Sequence, residues 1–425
     1  MEPVRAVKGM NDVLPAEMPA WHLVEERFRA LAEAYSYREV RTPVVEPTAL
    51  FARSIGETTD IVEKEMYSFV DKGDEALTLR PEGTASSVRA YIQHSAWAEG
   101  PVTRWYYLGP MYRRERPQKG RYRQFYQLGV EVYGDPGPHV DAEMIDMAVR
   151  LLEGLGIRRV TVELNSLGGP GTRVAYRDAL SGFLSPSREA LCPDCRRRLE
   201  HNPLRVLDCK VPTCRQIAAG APRITDHLTA EDRSHLDGLR RMLDRLGTPH
   251  VLEPRLVRGL DYYTRTLFEI KEEGGELGSQ NTLVGGGRYD GLVESLGGPP
   301  TAAIGFAAGI ERLVLSLPDG SANPIRPAVS VVSTGSATLD PAVVAARDLR
   351  LGGIATDIDT RGSSLKSQLR RSDKLGARFA LIVGEDELSR GRAALRDLGT
   401  KEQVEVPLSK PEIVDAVRTA MEKTT

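Results

Sequence analysis

The sequence is poor in the features that would assign it outright. No apolar run approaches the roughly 18 residues a membrane span needs, and the opening MEPVRAVKGMNDVLP lacks the apolar stretch of a secretory signal. These absences predict a cytoplasmic protein with no membrane partner. An excess of either charge is missing too. Lys+Arg 57 against Asp+Glu 59 leaves a net charge of -2, so any contact with nucleic acid must rest on local basic patches. Cysteine is scarce, and its four copies all fall between Cys192 and Cys214. That excludes a disulfide framework for the whole chain and leaves one local metal site or reduced thiols. No low-complexity tract is present, and 41% hydrophobic with 27% charged residues is the composition of folded domains. No GxxxxGK[ST] occurs, which argues against a P-loop NTPase. At 425 residues the chain is long enough for several domains.

What is present starts with one dense patch. MYRRERPQKGRYRQFYQLGVEVYG sets six cations among the residues 113–123. Its flanks, RWYYLGPMYRRE and RQFYQLGVEVYG, are strand-like and are separated by a turn containing Pro117 and Gly120, so a long antiparallel hairpin is expected. Side chains alternate across a strand, placing Phe125, Gln127, Gly129, Glu131 and Tyr133 on one face and Tyr126, Leu128, Val130 and Val132 on the other. The second face is core. The first puts an aromatic ring, an amide and a carboxylate in line opposite a strand carrying Arg113, the means to stack a planar base, fix a polar ligand and hold a phosphate. The same pattern also describes a wet outer sheet face with cross-strand ion pairs.

Elsewhere, Val24, Phe28, Leu31 and Tyr35 recur at helical spacing, and the proline-bearing VRTPVVEPTALF that follows reads as extended. EALTLRPEGTASSVRAYIQ predicts a strand to Arg80 and a helix from Thr84, setting Glu82, Gly83 and Thr84 at the corner between them. Residues 168–254 read as helical segments and polar connections inserted into the sheet-forming chain. GGGRYDG (285–291) reads on its own as a tight turn, and AAIGFAAGIERLVLSL as a strand passing into a helix. LPDGSANPIRP (317–327) reads as a linker. After it AVSVVST, IATDID, ARFALIVG and QVEVPL alternate with helical patterns at 341–351, 365–375 and 411–421, which predicts a small α/β domain. The cysteines form CxxC followed by CxxxxC, a looser second pair than the usual zinc knuckle; structural Zn2+ on Cys192, Cys195, Cys209 and Cys214 and four reduced thiols both fit.

Taken in order, KGMNDVLP (8–15), TDIVEKEMYSF (59–69), TLRPEGTA (78–85), the basic hairpin, RGLDYY (258–263), GGGRYDGL and GFAAGIERL resemble histidyl-tRNA synthetases, a class II aminoacyl-tRNA synthetase family. The resemblance covers nearly the whole chain. It implies an α+β catalytic domain on an antiparallel sheet at 1–325, interrupted by a mainly helical insertion at about 168–254, and a C-terminal α/β anticodon-binding domain at 326–425. It implies a homodimer built around RTPVVEP. It also implies a histidine–tRNA ligase that makes histidyl-adenylate from histidine and ATP, with Mg2+ on the phosphates, and then charges the tRNA.

Carried over by position, Arg113 holds the α-phosphate beside Glu115, Phe125 and Arg312 sandwich adenine, and Arg258 neutralises charge at the α-phosphate during attack. Glu82, Gly83, Thr84 and Gln127 meet the amino and carboxylate end of histidine. Glu131 and Tyr263 address its imidazole, with Tyr262 and Tyr289 completing the pocket. On this reading Arg258, Arg113 and Gln127 are catalytic, and Arg116, Gln118 and Lys119 at the hairpin tip meet the tRNA acceptor end. Two rivals are an inactive paralogue acting as a regulatory subunit in histidine biosynthesis, and an RNA-binding or nucleotide-sensing module without turnover.

Overall fold

The computed structural model describes residues 2–56, 59–275, 277–278 and 281–423. The chain divides into Met1–Asn323 and Pro324–Thr425, with the division inside the expected linker.

The first unit opens with α1 (Met18–Ala34), whose Trp21, Val24, Phe28 and Ala32 form one buried stripe. Burying such side chains stabilises by about 2 kcal/mol apiece for the larger ones. Then come β1 (Arg38–Glu39), β2 (Val45–Pro47), α2 (Thr48–Ile55), β3 (Tyr67–Val70) and β4 (Ala76–Leu79). The extended reading of VRTPVVEPTALF therefore stops at Pro47. From Thr48 the chain is helical, because Leu50, Phe51 and Ile55 recur at a spacing that buries one face. Next are α3 (Thr84–Gln93), the hairpin β5 (Thr103–Tyr112) and β6 (Gln124–Tyr133), α4 (Pro138–Gly154) and β7 (Val160–Ser166). Helices α5 (Pro170–Leu184), α6 (Pro193–His201), α7 (Pro212–Ala218) and α8 (Ala230–Leu246) lead to β8 (His250–Leu252). The unit closes with β9 (Thr264–Glu272), β10 (Thr282–Arg288), α9 (Leu292–Ser295), β11 (Ala303–Gly309) and α10 (Ile310–Leu315).

Eight strands form one sheet in the order β1-β5-β6-β11-β10-β9-β7-β8, and β2, β4 and β3 form a small second sheet. The large sheet is antiparallel except at its two edges, where β1 pairs parallel with β5 and β8 parallel with β7. Strand β8 corrects the reading of 168–254 as lying wholly outside the sheet. So does α8, whose Leu239 and Leu243 join the main core with α4. The chain from Gly168 to α8 contributes no strand to either sheet.

Alternation splits the sheet into two faces. Leu128, Val130 and Val132 of β6, Phe268 and Ile270 of β9, and Ile304 and Phe306 of β11 face back, into the core with α1, α4, α8 and α10. Tyr133, Leu267 and Ala303 face front, into a second cluster with α3 and the insertion. The front is therefore no wet outer face, as the blander reading of the hairpin had it: Glu131 is fully buried there.

The second unit contains β12 (Val329–Ser333), α11 (Ser336–Leu351), β13 (Thr356–Ile358), α12 (Leu365–Lys374), β14 (Phe379–Val383), α13 (Glu385–Ser389), β15 (Arg392–Asp397), β16 (Gln403–Pro407) and α14 (Glu412–Glu422). Its sheet runs β13-β12-β14-β15-β16, parallel in the first three strands and antiparallel after. Strand β15 was not read from sequence, because Arg392, Arg396 and Asp397 leave it only a short apolar centre, Ala393 to Leu395. Helix α11 starts earlier than expected, at Ser336, with Pro341 inside it.

Candidate active site

The front of the sheet carries a floor almost without side chains. Cross-strand register aligns Tyr107 with Gly129 and Ala307, and Glu131 with Gly305 and Gly287. GGGRYDG is thus not a turn: Gly285 to Arg288 lie in β10, in the middle of the sheet. The physical reason is what passes over them. A β-carbon on Gly285 would lie 2.5 Å from Arg258 Nη2, and one on Gly287 would lie 2.9 Å from the Tyr263 ring. On Gly129 it would meet the Tyr107 phenol at 2.5 Å, and on Gly305 it would overlap the Glu131 carboxylate. Each glycine marks where a polar or aromatic side chain rests on the sheet.

Glu131 is at the centre of this trough. Its Oε1 accepts from Thr84 Oγ1 at 2.8 Å and from the Tyr107 hydroxyl at 3.1 Å, and its Oε2 accepts from the Tyr289 hydroxyl. Burial pushes its pKa up to about 8, although these donors pull it down. Tyr262 and Tyr263 form one wall, their rings 4.8 Å apart, with Tyr289 edge-on to Tyr262 at 5.7 Å. Tyr289 is held by its neighbours in GGGRYDG. Arg288, fully buried, pairs with Asp141 at 2.5 Å and Asp290 at 3.1 Å, and Asp141 is also 2.9 Å from His235 Nε2.

Glu82 turns its carboxylate to the start of α3, where it accepts from the backbone N–H of Thr84 at 2.7 Å and of Ala85 at 2.8 Å. These otherwise orphaned amides lower its pKa against burial, which raises it and prevails. Gly83 has no room for a side chain because the Tyr107 ring lies against it. The buried Oε1 of Gln127 has no hydrogen-bond partner. A buried amide oxygen left unpaired is costly, and a ligand donor would satisfy it.

Beyond Gln127 the site becomes cationic. Arg113 donates from Nε to the Pro81 carbonyl at 2.8 Å and stacks its guanidinium 5.4 Å from the Phe125 ring centre. Arg312 donates to the carbonyls of Gly120 at 2.9 Å and Thr282 at 2.7 Å. Arg113, not Arg312, is the cation over Phe125. Burial, together with the positive fields of Arg121, Arg258 and Arg113, lowers the Arg312 pKa to about 10. An arginine held in the positive field of its neighbours marks a site that favours an anion. Glu115 lies among them, 3.1 Å from Arg121 and 3.8 Å from Arg113. Arg258 is paired with Glu269, and that carboxylate outweighs burial and raises its pKa. At the hairpin tip Arg116, Gln118 and Lys119 are exposed. Apart from the pocket, Cys192, Cys195, Cys209 and Cys214 bring their sulfurs within 4.8 Å of one another.

Comparison with known proteins places the chain in a family. The model for "Histidyl-tRNA synthetase" matches residues 9–168 and 210–313, and that for "Anticodon binding domain" matches 328–418. The chain is 53% identical over 405 residues to a histidine–tRNA ligase of Sorangium cellulosum, covering 95% of this chain and 94% of the relative. It belongs to the histidyl-tRNA synthetase family. A histidine–tRNA ligase of Geobacter sulfurreducens is 50% identical over 410 residues, covering 96% and 98%. The crystal structure of apo S. aureus histidyl-tRNA synthetase superposes with a TM-score of 0.82 at 36% identity, covering 98% of this chain and 99% of that one.

Within this histidyl-tRNA synthetase framework, two side chains escaped the sequence reading. Tyr107 was legible in principle, since counting back in twos from Arg113 along β5 reaches it on the same face. Glu269 carried no local signal; it matters only because Arg258 folds back onto β9.

Proposed function

We propose that the trough over the glycine floor binds histidine at Glu131 and ATP at the arginines, and that adenylate forms where the two meet, near Gln127. The family joins histidine to its tRNA, and that is the activity of this chain. It proceeds in two steps: attack of the histidine carboxylate on the ATP α-phosphorus with release of pyrophosphate, then attack of the terminal ribose hydroxyl of tRNA on the mixed anhydride.

One observation carries the assignment of the amino-acid end: a fully buried carboxylate, Glu131, surrounded by hydroxyls from Thr84, Tyr107 and Tyr289. A neutral imidazole has one N–H and one bare nitrogen on opposite edges. Glu131 accepts from the first and the Tyr263 phenol donates to the second, with Tyr262 and Tyr289 closing the pocket. The unpaired Gln127 Oε1 accepts from the α-ammonium group, beside Thr84 and the Glu82–Gly83 corner. An apolar side chain of similar size would leave Glu131 buried without its ligand donor.

For ATP, Arg113 and Arg258 flank the α-phosphate, and neutralise charge that grows there during in-line attack. Adenine replaces the Arg113 guanidinium on the Phe125 ring and lies between that ring and Arg312, with Glu115 setting its edge, as Arg113 turns to the α-phosphate. Mg2+ arrives with the β- and γ-phosphates and is held through substrate oxygens.

The exposed tip residues Arg116, Gln118 and Lys119 meet the tRNA acceptor end, and the second unit reads the anticodon. We assign a homodimer through the small β2-β4-β3 sheet, whose Val45, Phe69 and Val70 are exposed apolar residues. The enzyme works in the cytoplasm; no described helix is long and apolar enough to cross a membrane. The deciding experiment is histidine-dependent exchange of labelled pyrophosphate into ATP. Folded protein that shows no exchange with any amino acid would refute the reading.

A further inference from the structure

The family match stops at Gly168 and resumes at Lys210, so Cys192, Cys195 and Cys209 lie in chain that it leaves unmatched. Yet their sulfurs and that of Cys214 converge. Cys192 and Cys209 sulfurs are 3.9 Å apart, all four lie within 4.8 Å, and none is in a disulfide. Four thiolates at about 2.3 Å from Zn2+ sit about 3.8 Å from one another in a tetrahedron, so the cluster needs little adjustment to close on one ion. Its surroundings suit a doubly negative Zn(Cys)4 centre. The backbone N–H of Cys192 donates to the Cys214 sulfur at 3.2 Å.

The segment these cysteines bracket also reaches the pocket. Cys192 precedes α6, Cys195 lies in its first turn, Cys209 follows the short turn Pro203–Val206, and Cys214 lies on α7. Between them, Asn202 Nδ2 donates to Asp261 Oδ1 at 3.0 Å, and Arg205 Nη1 donates to the backbone carbonyl of Arg258 at 2.8 Å. Arg205 is itself a buried charge. Arg198 pairs with Asp60 at 2.8 Å and Arg197 with Glu63 at 3.0 Å. The helical turn Ile61–Glu65, which follows Asp60 and contains Glu63, ends at Glu65, whose carbonyl accepts from the Arg114 backbone N–H at 2.6 Å. Cys195, Leu199, Val206, Cys209 and Cys214 share one apolar cluster with Tyr262 and Tyr263.

We propose that the four cysteines hold one structural Zn2+, and that this centre fixes α6 and its following turn so that Arg205 and Asn202 hold the 258–261 loop in place. Arg205 is thus a positioning residue for Arg258, a statement that rests on the role assigned to Arg258 above. Binding takes four thiols to four thiolates and releases their protons, so zinc loading falls at low pH. A peptide carbonyl that accepts from a fixed guanidinium cannot drift, and small displacements of a transition-state charge donor reduce rate more than binding.

The test uses full-length enzyme. Metal analysis of protein purified in reducing buffer should give about one zinc per chain, and Co2+ exchange should give the intense thiolate-to-cobalt absorption of a tetrahedral sulfur site. Background zinc in folded protein with four freely reactive thiols, or two disulfides by mass spectrometry, would overturn the metal site. Arg205→Gln should keep its zinc and lower kcat for pyrophosphate exchange about tenfold, with KM for ATP and histidine moving less than about twofold. Arg205→Lys, which retains a donor, should recover part of that loss. Wild-type kcat in folded Arg205→Gln would overturn the positioning role. Wild-type exchange in Arg258→Ala would instead overturn the role of Arg258 and leave the zinc reading intact.

Discussion

The Tyr289 hydroxyl donates to Glu131 across the point where Gly305 leaves the sheet bare. This bond ties the residue that follows β10 to the carboxylate assigned to imidazole. Replacing Tyr289 by Phe removes one of the three donors to a buried carboxylate, at about 1–2 kcal/mol, or roughly tenfold in KM for histidine. KM for ATP should stay near its wild-type value. Equal losses for both substrates in exchange kinetics would count against the assignment.

The raised pKa of Glu131 gives a signed pH dependence. Its folded value of about 8 lies above the ordinary carboxylate range, so the folded protein binds the extra proton between the two values. Its contribution to stability is therefore fully present at acid pH, and is lost as pH rises from about 4.5 through 8. Thermal melts of Glu131→Gln should consequently change less between pH 6 and 8.5 than those of the wild type. A ligand N–H favours the carboxylate, so histidine binding near pH 7 should release protons. Calorimetry in two buffers of different ionisation enthalpy reads this directly, and Glu131→Gln should abolish the release attributable to that group.

Arg258→Ala should lower kcat for adenylate formation by a factor corresponding to about 3 kcal/mol or more, with a smaller effect on KM for ATP. Its partner Glu269 would be left with Lys271 at 3.6 Å and Thr282 at 3.1 Å. The expected stability change is therefore small. A variant with unchanged kcat and weaker ATP binding alone would show that Arg258 serves the ground state.

Gly305→Ala offers a test of the floor itself. Its β-carbon would overlap the Glu131 carboxylate, so either the side chain or the strand must shift, at about 1–3 kcal/mol of stability. The expected signature is a lower Tm and a KM for histidine at least about tenfold higher, with ATP binding largely spared. Wild-type kinetics would mean that Glu131 is not fixed against the sheet.

How much of this could be read beforehand depended on whether the signal was local. The hairpin was legible because alternation is local: Phe125, Gln127 and Glu131 fall on one face by counting alone. The corner at Glu82 was legible because Pro81 and the helix start punctuate it. GGGRYDG was misread as a turn because three glycines have poor strand propensity. The cause of their placement, Arg258 and Tyr263 lying across them, comes from residues upstream in sequence. The edge strand β8 was hidden in a polar stretch, where a three-residue pairing with β7 leaves no periodic trace. The match of Arg258 to Glu269, like that of Arg205 to the Arg258 carbonyl, exists only after distant segments have packed.

The bare floor also sets where this pocket can change. On the front, Gly129, Gly285, Gly287 and Gly305 admit no β-carbon without displacing Tyr107, Arg258, Tyr263 or Glu131. On the back, Gly286 already meets Phe268 and Phe306 of the core. At these positions strands β6, β10 and β11 therefore cannot take a side chain without moving a group of the pocket or of the core. Altered amino-acid choice must be sought in the walls, at Tyr262, Tyr263 and Tyr289, which hang from loops and a strand end and can be exchanged without lifting the sheet.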